Sequence, residues 1–155
     1  MMYEELVADF AKRTRQNLET LRLLQIKNDS GLSVFEVTQL INSMLGLLVF
    51  PQQRYFDEIP NTPLKELAAT GWPIPRVVGD YRQPRDLRML LRLLRNAVSH
   101  FNIEFLPDNN GEISGLRVWN TELRKPFKIT WMAELSIDDL EKITDRFIAL
   151  LLKDK

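Results

Sequence analysis

Residues 85–101 read Arg85-Asp86-Leu87-Arg88-Met89-Leu90-Leu91-Arg92-Leu93-Leu94-Arg95-Asn96-Ala97-Val98-Ser99-His100-Phe101. Leu87, Leu90, Leu91, Leu94, Val98 and Phe101 recur at helical steps as an apolar stripe. Arg85, Arg88, Arg92 and Arg95 recur at three- and four-residue steps on the other side. This is the pattern of an amphipathic helix laid on a core, and Pro84 precedes its start. The same stretch holds the only histidine of the chain, His100, the side chain best placed to move protons near neutral pH.

The elements on either side follow from the same periodicities. Upstream, Tyr3, Leu6, Val7, Phe10, Leu18, Leu21 and Leu24 mark one face of a long helix from Tyr3 to about Ile26, with Arg13, Arg15 and Gln16 as a polar middle. Asn28-Asp29-Ser30-Gly31 stops it. Ser33 and Glu36 form a capping-box pattern for a second helix that carries Val37, Leu40, Ile41, Met44, Leu45 and Leu48. Its end, through Leu47, Val49 and Phe50, is apolar nearly all round and should be central to the core, and Pro51 terminates it. Residues 51–84 hold six prolines and read as a long loop, interrupted by a short helix from Leu64 to Ala69.

Downstream of the arginine-rich helix the apolar period changes to two. Ile103 and Phe105 alternate with polar residues, Asp108-Asn109-Asn110-Gly111 is a turn, Leu116 and Val118 alternate next, and Phe127, Ile129 and Trp131 last. Asn120 to Pro126 reads as a second loop, so two or three antiparallel strands are expected over about residues 102–132. Ser136 and Asp139 then cap a final helix with Leu140, Ile143, Phe147, Leu150 and Leu151. The expected fold is mainly α: three long helices, a small antiparallel β insertion, one more helix, all in one domain over residues 1–155.

Composition removes several function classes. The chain has no cysteine and one histidine, which excludes disulfide frameworks, thiol catalysis and multi-histidine metal centres. Asp138, Asp139 and Glu141 sit in the first turn of a helix, where carboxylates cap, and no glycine-rich phosphate loop is present. No metal site and no cofactor are expected. The 21 basic and 21 acidic side chains cancel, so attraction to nucleic acid must come from a local patch. The longest apolar run, Met44 to Phe50, is far short of the roughly twenty residues of a membrane span, and the acidic N-terminus is unlike a signal peptide. A soluble, cytoplasmic protein without a membrane partner is expected.

By itself, a histidine at a helix end beside arginines is often only a favourable dipole contact on a solvated face. Its setting here says more. Arg95-Asn96-Ala97-Val98-Ser99-His100 is arginine, four residues, histidine, with a polar residue directly after the arginine. It resembles the signature of the HEPN superfamily (higher eukaryotes and prokaryotes nucleotide-binding), and the run from Leu94 to Ile103 looks like a plasmid- and mobile-element-borne subgroup in which a short β segment follows the motif helix. About ten residues match specifically, and the element order matches over most of the chain.

The resemblance implies a HEPN-like helical bundle and a metal-independent endoribonuclease acting on RNA, as a toxin or in defence. It makes Arg95 and His100 the catalytic pair and Asn96 their polar support. The 2′-hydroxyl would attack the adjacent phosphate and leave a 2′,3′-cyclic phosphate. Five residues on a helix turn through about 500°, so Arg95 and His100 point about 140° apart. Together with the family habit of dimerising through the motif helices, that angle points to a composite site in a homodimer. Arg92 and Arg88 would continue a positive floor for the RNA backbone, and an antitoxin partner is implied by relatives encoded beside a neutralising protein. Tyr81 and Tyr55 are considered for base stacking, but packing on the core is the favoured reading. The alternatives are a non-catalytic HEPN-like module that binds RNA or a partner, and an unrelated helical scaffold, for which a His100 buried in a monomer core would speak.

Overall fold

The structure is a computed structural model and describes residues 3–27, 35–51 and 53–153. Its helices are α1 (Tyr3–Lys27), α2 (Glu36–Val49), α3 (Gln53–Glu58), α4 (Leu64–Ala69), α5 (Leu87–Ser99) and α6 (Ile137–Leu152). The strands are β1 (Arg76–Val77), β2 (Ile103–Pro107), β3 (Ile113–Glu122) and β4 (Lys125–Ser136), paired antiparallel in the order β1-β4-β3-β2. The mainly helical architecture with a small antiparallel sheet between the arginine-rich helix and the last helix is as expected. The turn at Asn28–Gly31 and the Ser33 cap lie outside the described residues, and α2 opens at Glu36.

Helix α6 packs against α1 and α2, α2 packs also on α5, and the sheet lies on α5 and α6. The apolar stripes meet in one cluster: Leu47 and Leu48 of α2, Leu90, Leu91 and Leu94 of α5, Leu116 and Val118 of β3, Ala133 and Leu135 of β4, and Leu140, Ile143 and Phe147 of α6. Along α1 the buried line runs Val7, Ala11, Thr14, Leu18, straight through the polar middle. Ala11 is small, and the Thr14 hydroxyl donates to the Phe10 carbonyl one turn back at 2.9 Å, so neither interrupts the seam. At the end of α2, Leu47 and Leu48 are buried, whereas Val49 and Phe50 stay partly exposed and Phe50 stacks on Phe10 at 4.8 Å between centroids.

Two local signals hold to the atom. Ser136 Oγ accepts from the Asp139 N–H at 3.1 Å while the Asp139 carboxylate accepts from the Ser136 N–H at 2.9 Å, a complete capping box at the start of α6. Asp108 accepts from the N–H groups of Asn110 and Glu112 at 2.7 and 2.9 Å and closes the β2–β3 turn.

The structure corrects four further expectations. Residues 51–84 contain helix α3 and strand β1 besides the expected α4. Unlike α4, which is made of strong helix formers, α3 carries the weaker Tyr55, Phe56 and Asp57, and the two residues of β1 are a strand only because Arg76 and Val77 pair with Glu134 and Ala133. The arginine-rich helix starts at Leu87 rather than Arg85, because Asp86 is its N-cap and accepts from the Met89 N–H at 2.8 Å. Phe101 is not on the buried stripe: it has left the helix, with φ +56° and 88% exposure. The loop expected at Asn120–Pro126 is mostly ladder, since β3 continues to Glu122 and only Leu123 and Arg124 turn, while β4 runs on to Ser136.

Candidate active site

Helix α5 ends in a way that positions its motif. His100 is the C-cap, with φ −99° and ψ 7°. The Phe101 N–H donates to Val98 O at 3.1 Å and the Asn102 N–H to Ala97 O at 2.9 Å, the paired bonds of a Schellman ending. That ending demands a left-handed residue, usually glycine, and Phe101 occupies it. The reversal sends the chain directly into β2 and leaves His100 exposed at the junction of helix and sheet.

Around α5, at about 100° per residue, Arg92, Asn96 and Ser99 fall within about 60° on the outward side. Arg95 flanks this strip on one edge and His100 on the other, about 140° apart as the spacing requires. The Arg95 edge faces α3. The Arg95 guanidinium carbon lies 5.0 Å from the centroid of the Phe56 ring, a cation–π contact. Phe56 is fully buried and packs against Phe147 of α6. Arg92 pairs with Asp57 of α3, and Arg88 Nε donates to the Ile59 carbonyl at 2.7 Å. The arginines Arg88, Arg92 and Arg95 therefore gather on the side of α5 that α3 and its following residue cover.

The His100 edge opens instead on a groove of about 630 Å3. It is lined by Leu93, Asn96 and His100 on the helix side, by Asn102 just beyond the helix, and by Asn120, Thr121, Glu122, Leu123, Arg124, Pro126 and Thr130 of the β3–β4 hairpin. Asn120 fixes that hairpin to the helix: it is buried, and its Nδ2 donates to the Leu93 carbonyl at 3.0 Å. The Glu122 carboxyl is held below the usual glutamate range by hydrogen bonds from Lys125 and then Lys128, so it is anionic at the groove rim. The arrangement joins a water-accessible imidazole, an amide one turn before it and several neutral donors and acceptors, which suits proton transfer on a bound polar substrate.

The sequence-predicted residues thus divide. Asn96 and His100 share the groove, while Arg92 lies within the exposed strip and Arg95 and Arg88 on its far edge. Tyr55 and Tyr81 both pack on the core. The Tyr55 hydroxyl donates to Leu150 O at 3.2 Å, and burial, helped by Glu58, pushes its pKa to about 12. Sequence reasoning missed Asn102, Asn120, Thr121, Arg124 and Thr130, which join the site only through the hairpin. The cations of Leu123-Arg124-Lys125-Pro126-Phe127-Lys128 were the signal that was there to read. Among the described residues no group of three or more His, Asp or Glu side chains is placed to hold a metal ion. No helix among them is long and apolar enough to cross a membrane.

No curated protein and no solved structure matches the chain. A family model described as HEPN pEK499 p136 does match it, over residues 1–155. A match from one end of the sequence to the other, on a helical fold whose arginine-rich helix ends at an exposed histidine, leaves one assignment: the chain belongs to HEPN pEK499 p136, a plasmid-associated HEPN family.

Proposed function

We propose that this protein is a cytoplasmic, metal-independent endoribonuclease of the HEPN type, built as one domain over residues 1–155 and active as a homodimer. The observation that carries the reading is the division of α5: Arg95 and His100 edge one exposed strip from opposite sides, and His100 faces an open groove. A second α5 laid antiparallel on that strip brings the arginine of each copy toward the histidine of the other. His100 of one copy takes the proton of the ribose 2′-hydroxyl as its oxygen bonds to phosphorus. The bond from phosphorus to the 5′-oxygen breaks, and that oxygen leaves with a proton from His100 of the second copy. Arg95 stabilises the charge on the phosphoryl oxygens, and Asn96 supports the imidazole one turn away. Arg92, half-exposed and exchangeable from Asp57, and Arg88 beside it extend the positive strip under the RNA backbone. A ribonuclease of this kind acts as a toxin or defence effector and is held in check by an antitoxin partner.

The test is cleavage of a mixed single-stranded and transfer RNA substrate by the purified protein in EDTA, beside His100→Ala and Arg95→Ala, with analysis of product ends. Cutting that leaves cyclic phosphate and disappears in both variants is the expected result. If nothing is cut, or the variants cut as well as wild type, the non-catalytic binding module takes its place. The balanced net charge and the contacts of Arg88, Arg92 and Arg95 with the α3 region favour that second reading.

A further inference from the structure

The β3–β4 ladder breaks where it forms the groove wall. Asn120 stands opposite Trp131, the next residue Thr121 opposite Ile129, and the next, Glu122, opposite Lys125. In a regular antiparallel pair, one step along β3 matches one step along β4. Here the first step skips Thr130 and the second skips Pro126, Phe127 and Lys128. Extra residues of this kind bend a strand and re-aim its side chains, and they concentrate beside functional sites. Thr130 is thereby turned into the groove wall, and Pro126–Lys128 stands out from the ladder. Phe127 is 98% exposed at its centre.

The tip is also charged, in a chain whose total is zero. Over residues 121–128 the cations Arg124, Lys125 and Lys128 face one carboxylate, Glu122, a balance of three minus one, or +2. Glu122 binds both lysine amines. Arg124, in the left-handed turn with φ +64°, has no ion-pair partner among the described residues, and it lines the groove. On the other side of the groove, Phe101 stands 88% exposed between two lining residues, His100 and Asn102, in a backbone conformation that a phenylalanine rarely adopts. Such outliers collect at ligand-contacting positions. Cations interleaved with exposed aromatic rings, beside a groove lined by asparagine and threonine side chains, match a polyanion that carries flat, hydrogen-bonding bases.

We propose that the β3–β4 hairpin tip is a clamp for single-stranded RNA, in which Phe127 stacks on a base, Arg124 holds a phosphate, and the strand between them is delivered to His100. This rests on the ribonuclease reading of the groove. A single strand is the class specified, because stacking on a side chain needs a base free of its duplex neighbours. The one carboxylate of the tip, Glu122, is taken by Lys125 and Lys128, which leaves the Arg124 guanidinium to meet a phosphate.

The experiment uses the full chain carrying His100→Ala, which binds without cutting. A fluorescein-labelled single-stranded RNA of about ten nucleotides, and the same RNA annealed as a duplex, are titrated by anisotropy at several salt concentrations. Adding Phe127→Ala should weaken single-strand binding about fivefold or more. Adding Arg124→Ala should reduce the salt slope by about one. Duplex should bind more weakly than single strand. Both side chains are exposed, so folding, followed by circular dichroism, should be unchanged. Undiminished affinity in both variants, equal affinity for duplex, or absence of RNA binding in the parent would overturn the clamp. So would conversion of a dimer to monomers by Phe127→Ala, which would make the tip a dimerisation arm. A wild-type enzyme that cuts RNA while its tip variants bind and cut unchanged refutes the clamp alone. A wild type that cuts nothing, yet whose single-strand binding depends on Phe127 and Arg124, refutes the nuclease and keeps the clamp.

Discussion

Replacing Asn120 with aspartate should turn a buried structural contact into a pH-dependent defect. Asn120 is 8% exposed, and its Nδ2 donates to the Leu93 carbonyl at 3.0 Å, tying the end of β3 that faces the β4 bulge to the middle of α5. Asn120→Asp keeps the shape, but an ionised carboxylate has no proton to give and brings its charge against the Leu93 oxygen. Loss of the neutral hydrogen bond costs about 1 kcal/mol, and a buried charged acceptor left without a donor costs about 2 kcal/mol more. A total of about 3 kcal/mol means that the introduced carboxyl binds its proton about a hundredfold more tightly in the folded chain than in the unfolded one. Its folded pKa is raised, so the penalty is complete at high pH and fades as pH falls and the carboxyl, once protonated, donates to Leu93 again. By linkage the difference from wild type should be about 3 kcal/mol near pH 8 and about half that near pH 5. Urea unfolding of wild type, Asn120→Asp and Asn120→Leu at both pH values measures it. The leucine variant has nothing to titrate, and its difference from wild type should not change with pH. An Asn120→Asp difference that is the same at both pH values, or that stays below about 1 kcal/mol near pH 8, would refute the tie between hairpin and helix.

Three further outcomes are expected. The Glu134 carboxyl accepts from Arg117 and Arg76, which hold it below the ordinary value of 4.5, so its contribution is present above that pH and lost as pH falls through the depressed value. Glu134→Gln should therefore lower stability near neutral pH and give a flatter acid limb in unfolding monitored by circular dichroism, and an unchanged acid limb would count against the pairing. A Cβ at Gly115 would stand 2.3 Å from the backbone oxygen of Leu135, so Gly115→Ala must push β3 from β4 and should lose more than about 2 kcal/mol in urea unfolding. Phe56→Leu removes the ring beneath Arg95 while keeping an apolar side chain, and should cost about 1.5 kcal/mol. On the ribonuclease reading it should also lower kcat severalfold with KM little changed, and an unaltered kcat would detach Phe56 from the site.

Whatever depends on neighbours within a few residues can be read along the chain. The stripe of α5, the short helix Leu64–Ala69, the Asp108 turn and the Ser136–Asp139 capping box are all set by contacts inside one turn of chain, so their residue types reveal them. The arginine-to-histidine spacing was equally local, and with it the fact that Arg95 and His100 leave α5 in different directions. What each meets there is set by packing between segments far apart in the chain. Phe56 comes under Arg95 from a short helix whose Tyr55, Phe56 and Asp57 are weak helix formers, so packing rather than local preference makes it. Strand β1 exists because β4 offers a partner, and the groove exists because Asn120 reaches Leu93 across 27 positions. The same holds for Phe101 and Phe127, whose composition suggests core and whose backbone carries them into water. Burial follows from where the chain is turned, and the turns here are made by pairing and capping between segments that a reading along the chain treats one at a time.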